Sequence, residues 1–146
     1  MTMDEATRQQ AVVILNEGVT NELGAVIQYL WHHYLAEGIE SPAIRDIFEK
    51  FSLDEMKHLE QFSERIVDLG GEPTTKLNPV KKGGTLRQMI QDDLDLEQGA
   101  VQLYKGHVRK LAELGDTTSR LMVEKALAEE EGHVTTFRRL LSKLKG

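Results

Sequence analysis

The chain has 146 residues, no cysteine and a formal net charge of -6 at pH 7. That length suits one domain able to bury about two-thirds of its unfolded surface, and the missing thiols exclude a disulfide framework, an iron-sulfur cluster and a cysteine-zinc site. The acidic balance argues against a general nucleic-acid surface or an anionic membrane.

The start, Met1-Thr2-Met3-Asp4-Glu5, lacks a basic region followed by an apolar one, and no stretch approaches a membrane span, so a cytoplasmic protein is expected. From about residue 4 to 37, Val12, Leu15, Val19, Leu23, Val26, Ile27, Leu30 and Tyr34 recur at helical spacing. Gly38 is placed to end that segment as a left-handed cap. Ser41-Pro42 has the form of a helix start, serine at the N-cap and proline at the first helical position, and predicts a helix to Leu69 before Gly70-Gly71. Residues 70 to 84 hold Pro73, Asn78, Pro79, Gly83 and Gly84, which excludes helix, and they show no strand alternation. Thr85-Leu86-Arg87-Gln88 reads as a capping box opening a third helix to Leu114, and Asp116 can cap a fourth running to about Leu144. No segment reads as a strand, so the fold class is all-α.

Loop lengths set the topology. The short joints near 38 to 41 and 115 to 116 demand antiparallel neighbours. The 15-residue middle connection can reach roughly 50 Å when extended, against roughly 40 Å for helix two. It can therefore traverse a whole four-helix bundle, which makes helices two and three parallel and joined by one long crossover.

Asp54-Glu55-Met56-Lys57-His58 carries a Glu-x-x-His that recurs as Glu130-Glu131-Gly132-His133. Residues three apart share a helix face, so each carboxylate and imidazole can reach one point in space, which is metal-ligand spacing. Thirty-three positions before each motif stands another glutamate, Glu22 and Glu97. Under the crossover topology all four segments place these residues within about a turn of mid-bundle. Either Glu-x-x-His alone is also what an i,i+3 surface pair on a charged helix looks like; the equal intervals and common level separate the two readings. Four carboxylates in an apolar interior require compensation, and two divalent cations supply it. Oxygen-rich ligation with one imidazole per metal suits iron or manganese, with zinc as a possible substitute.

The ordered set Glu22, Glu55-x-x-His58, Glu97, Glu130-x-x-His133 resembles the ligand set of ferritin-like di-iron bundles. Asn21-Glu22-Leu23, Gln28-Tyr29, His32, Asp54-Glu55-Met56-Lys57-His58, Glu64-Arg65-Ile66, Asp93-Leu94, Leu96-Glu97 and Glu130-Glu131-Gly132-His133 are similar to bacterioferritin signatures in bacterioferritin order, over roughly residues 12 to 143. The resemblance implies a ferritin-like fold and a ferroxidase that oxidises iron(II) to iron(III) with dioxygen or peroxide for storage or detoxification. It implies two Fe ions, with Glu22 and His58 on one, Glu97 and His133 on the other, and Glu55 and Glu130 bridging, and no catalytic residues beyond these ligands. Met56 must point about 100° away from the metal face. In the family a methionine here ligates a haem b shared across a two-fold dimer interface; as a bare residue it is equally interface filler. A homodimer at least is therefore expected, and the partners are iron ions and dioxygen or peroxide.

Tyr29 and Tyr104 each follow a glutamate by seven residues and lie on its face. For Tyr104 a core aromatic with a satisfied hydroxyl is expected, and Tyr29 is open between that and contact with a ligand. His32 is expected as a satisfied interior histidine, and His33 and His107 as solvent-facing. Asp54 is open between a metal-side role and a solvated carboxylate. Two departures stand out. Bacterioferritins often place a histidine one turn before the aspartate, at an interior iron site, and this chain has Lys50 and Phe51 there. Thirteen residues follow His133, so the fifth helix of the usual 24-subunit cage is expected to be missing. Alternatives are a non-storing dimeric di-iron oxidoreductase that consumes peroxide or dioxygen, and a haem- or metal-binding structural dimer.

Overall fold

A computed structural model describes residues 3–144 and contains four helices: α1 (Glu5–Leu35), α2 (Ser41–Asp68), α3 (Leu86–Leu114) and α4 (Thr117–Lys143). Local chemistry sets most of their ends. Asp4 caps α1 by accepting from the Thr7 amide at 2.7 Å, as an N-cap carboxylate does for an orphan donor. Thr85 caps α3 through the Gln88 amide at 3.1 Å, although Gln88 turns its own amide to Asp92, so only half of the expected capping box forms. Asp116 caps α4 through the Ser119 amide.

Two boundaries differ from the expectation. α1 stops at Leu35 with an extended Ala36 cap, and Gly38, at φ +109°, serves the turn beyond it. Ser41 is already helical; its hydroxyl donates to the Gly38 carbonyl at 2.7 Å, and Glu40 takes the N-cap place without a side-chain bond. At the end of α2 the Gly71 amide donates to Ile66 and the Gly70 amide to Val67, both at 2.9 Å, with Gly70 at φ +84°. This is a Schellman closure, which needs a residue tolerant of the left-handed region.

Two apolar clusters fill the bundle. One draws Leu15 and Val19 from early α1, Phe62 and Ile66 from late α2, Tyr104 and Leu111 from late α3, and Val123 from early α4. The other takes the opposite halves: Tyr29, Phe48, Phe51, Ile90, Leu94, Val134 and Phe137. α2 and α3 therefore run in the same direction, and α1 and α4 oppose them. The expected crossover topology follows, with α1 packed along α2 and α3 along α4. No helix of the described residues is long and apolar enough to cross a membrane.

The crossover runs from Leu69 to Thr85 along a stripe of α1 residues spaced four apart. Asn16 donates to the Glu72 carbonyl at 3.0 Å and accepts from the Thr74 amide at 2.9 Å. The Thr20 carbonyl accepts from Asn78 at 3.4 Å. A Cβ on Gly24 would stand 3.2 Å from Asn78, so the glycine permits the close approach. Gln28 accepts from the Lys81 amide at 3.0 Å, and His32 Nε2 donates to the Lys81 carbonyl at 2.8 Å. Gln28 and His32 also reach Asp93 of α3, at 2.8 and 2.7 Å. His32 is thus the satisfied interior histidine expected. Burial and then its bond to His32 act in opposite directions on Asp93, and burial wins, raising its pKa to about 6.

Candidate metal centre

Between the two apolar clusters the helices bring together Glu22 from α1, Glu55 and His58 from α2, Glu97 from α3, and Glu130 and His133 from α4, all buried. They form two overlapping groups, Glu22, Glu55, His58 and Glu130, and Glu55, Glu97, Glu130 and His133, each offering ligand atoms within 4.8 Å of one another. His58 Nδ1 is 3.6 Å from oxygens of Glu22, Glu55 and Glu130. His133 Nδ1 is 3.5 Å from oxygens of Glu55, Glu97 and Glu130. These gaps are too wide for hydrogen bonds, and they are the separations of atoms each about 2.1 Å from a shared cation. Glu55 and Glu130 approach both imidazoles; Glu22 and Glu97 approach one each.

The electrostatics point the same way. Among the described residues, the buried side-chain atoms without any hydrogen-bond partner are six carboxylate oxygens and two imidazole nitrogens, and all eight belong to these six residues. Among the described residues no other buried side-chain nitrogen or oxygen is left unpaired, as folding demands. Burial, followed by the Glu22 carboxylate, pushes Glu55 well above the usual carboxylate range; burial and then Glu97 do the same to Glu130. Burial opposes a charge on His58 and His133, but Glu22 and Glu129 around the first, and Glu97 and Asp54 around the second, outweigh it and raise both. A donor set of this kind could hold two divalent cations.

The supporting shell is cross-braced, with nearly every brace running between sequence halves. His58 Nε2 meets Glu129 at 2.7 Å, and His133 Nε2 meets Asp54 at 3.1 Å, which leaves each Nδ1 turned inward. Tyr29 donates its hydroxyl to Glu97 and Tyr104 donates to Glu22. Burial, and then those carboxylates, raise both phenols well above their ordinary value, so both stay protonated donors. Tyr104 is the expected core aromatic with a satisfied hydroxyl, and the acceptor is the cluster's own Glu22; its oxygen also accepts from Asn21 at 3.2 Å. Glu129 stands in the acidic run Glu129-Glu130-Glu131, and nothing local in the sequence singles it out as a brace. The missed signal is a 75-residue repeat: Glu22 and Glu97, Tyr29 and Tyr104, Asp54-Glu55 and Glu129-Glu130, His58 and His133.

The two histidines expected in solvent are corrected. His107 is buried, with Nε2 2.9 Å from Glu17, and His33 is half-buried between the Arg45 carbonyl and Glu49. His107 lies three residues after Tyr104 and four before Leu111, a spacing that already puts it on the inward face. Met56, next to the buried Glu55, points outward at 38% exposure.

A ferritin-like domain model matches residues 12–146. A bacterioferritin from Desulfovibrio desulfuricans is 30% identical over 142 residues, covering 97% of this chain and 79% of that protein. Its crystal structure, which describes a diiron site in different catalytic states, superposes with a TM-score of 0.90 at 29% identity, over 94% of this chain and 81% of that one. The Rhodobacter capsulatus bacterioferritin structure, described with a metal-free dinuclear site and a haem iron in a crystallographic special position, gives a TM-score of 0.89 at 31% identity over 97% and 87%. A ferritin-like diiron-carboxylate protein from Bacillus anthracis gives 0.88 at 28% identity over 92% and 97%. Helical order, the buried carboxylate and imidazole cluster and these similarities agree, and the chain belongs to the ferritin family as a bacterioferritin-like member.

Proposed function

We propose that the six residues hold two divalent metal ions and that the chain is a ferroxidase of bacterioferritin type, oxidising iron(II) to iron(III) with dioxygen or peroxide. The observation that carries this reading is the set of eight unpartnered ligand atoms, because no stable interior leaves six carboxylate oxygens and two imidazole nitrogens empty-handed without a cation to receive them. Glu22 and His58 would serve one ion, Glu97 and His133 the other, with Glu55 and Glu130 shared. Two iron(II) ions held there would supply, on oxidation to iron(III), the two electrons that take dioxygen to peroxide or peroxide to water. The protein's own part is to bring the four carboxylates together where two cations would offset their charge, hold each imidazole in one tautomer through Glu129 and Asp54, and fix the terminal glutamates through Tyr29 and Tyr104.

Met56 supports a second element of the proposal. Met56 and Leu53, one turn before it on α2, are exposed, as are Trp31 and Tyr34 near the end of α1. We assign the face that carries Met56 to a homodimer in which a haem lies between two copies with Met56 of each as ligand. The haem iron of the Rhodobacter capsulatus protein, lying in a special position, is consistent with sharing between symmetry-related copies.

Aerobic addition of iron(II) to metal-depleted protein tests the ferroxidase. Near-ultraviolet absorbance should rise rapidly in the wild type and at the protein-free rate in Glu130→Ala; equal rates in both would remove the assignment. The same six residues would also serve a non-storing di-iron oxidoreductase, which is the second reading. Repeated iron additions separate the two: storage gives a sedimenting iron-loaded shell, and the alternative gives peroxide or dioxygen consumption on a dimer.

A further inference from the structure

The two halves of the centre repeat each other closely, and the place where they differ is informative. Phe51 lies flat on the His133 ring, with centroids 3.8 Å apart and planes 18° from parallel. The position 75 residues later is Ala126, buried and without a ring. His58 has Phe62 as an aromatic neighbour at 6.4 Å. His133 is therefore held on its face by Phe51 and at Nε2 by Asp54, leaving Nδ1 as its one uncommitted edge. Lys50 joins the two holders: its Nζ is 3.4 Å from Asp54 and 5.5 Å from the Phe51 centroid. On the other side Glu129 alone braces His58, and its side chain is 44% exposed against 22% for Asp54.

The clamp has something to resist. His133, Phe51, Asp54, Lys50 and Glu129 line a groove of about 380 Å³ that opens to solvent, so an unheld His133 ring would have room to leave its rotamer. A ligand fixed in advance binds more tightly than one that must be ordered on binding. Building on the two-metal reading above, we infer that Phe51 is a positioning residue that makes the two metal positions unequal, the one served by His133 being the tighter. One stacked aromatic pair of this geometry corresponds to about two- to tenfold in affinity.

The test uses the full chain, depleted of metal and titrated with cobalt(II) by calorimetry and visible absorbance. Wild type should take two ions per chain in two unequal steps. Phe51→Leu should weaken the tighter step about two- to tenfold and leave the other unchanged. That effect should vanish in a His133→Ala background and persist in His58→Ala. A Phe51→Leu change that moves both steps, neither step, or survives the loss of His133 overturns the inference. Should Phe51→Leu lose its helical circular dichroism, the single histidine variants decide: His58→Ala must keep the tight step and His133→Ala the weak one, and the reverse order overturns it. Two ions in indistinguishable positions sink the inference alone, whereas fewer than two on wild type sinks the two-metal reading and the inference with it.

Discussion

Replacing Glu130 by glutamine should change stability in opposite directions with and without metal. Glu130 is buried, leaves both oxygens unpartnered, and shares ligand-atom distances within 4.8 Å with the other carboxylates. Two unit charges about 4 Å apart repel by roughly 4 kcal/mol at an effective dielectric near 20. Partial protonation already relieves some of this in the metal-free protein, since burial and then Glu97 hold Glu130 well above the ordinary range. Glutamine keeps the volume, adds donors for neighbouring oxygens and removes the charge, so metal-free Glu130→Gln should be more stable than metal-free wild type by about 1–3 kcal/mol. A divalent ion at a thousand times its Kd stabilises the wild type by about 4 kcal/mol, and the variant forfeits most of that gain. Urea denaturation followed by helical circular dichroism, once with chelator and once with manganese(II) or zinc(II), measures both terms. A variant less stable than wild type by the same amount under both conditions would mean that Glu130 is a structural hydrogen-bond partner, and the electrostatic reasoning would fail.

Asp93 should make stability fall as pH rises from near 4 to about 6, because its folded pKa of about 6 exceeds its ordinary value of 3.8 and the native state binds the extra proton in that window. Asp93→Asn can still accept from Gln28 and donate to His32, so it should keep stability and flatten that part of the pH profile; an unchanged profile in urea midpoints counts against the assignment. Met56→Ala should abolish a Soret band in protein expressed with haem while leaving the initial rate of iron(II) oxidation within about twofold, since Met56 faces away from Glu55; loss of both signals would refute the separation of the two sites. Gly71→Ala should cost about 1–3 kcal/mol in thermal or urea unfolding, because the added Cβ would stand 2.7 Å from Val12; a neutral effect would show that the crossover's entry is looser than this packing implies.

Much of the centre was legible in the order of residues because its information is local. A carboxylate three positions before an imidazole occupies one helix face whatever surrounds it, and Thr85 and Asp116 cap from their own backbone neighbourhood. What periodicity does not carry is the identity of the group met across a helix interface. Seven-residue spacing puts Tyr104 on the inward face, but its partner Glu22 lies 82 residues away; Glu129 shows only acidic neighbours in the sequence, and its partner His58 stands 71 residues earlier. Ser41 does not cap for a different reason: it lies one residue inside the helix, after Glu40, and its hydroxyl donates back to the Gly38 carbonyl.

From the amino-acid order alone came the four helices, the direction of the crossover and the six residues of the cluster, since helix caps, loop reach and i,i+3 spacing act within a few residues or by simple length. Only the tertiary structure decided which imidazole Phe51 covers, that each histidine is braced by a carboxylate from the opposite half, and that among the described residues the buried side-chain atoms without partners are those of this cluster. Those depend on how helices rotate and slide against one another, a matter of packing across long sequence separations to which no local rule applies.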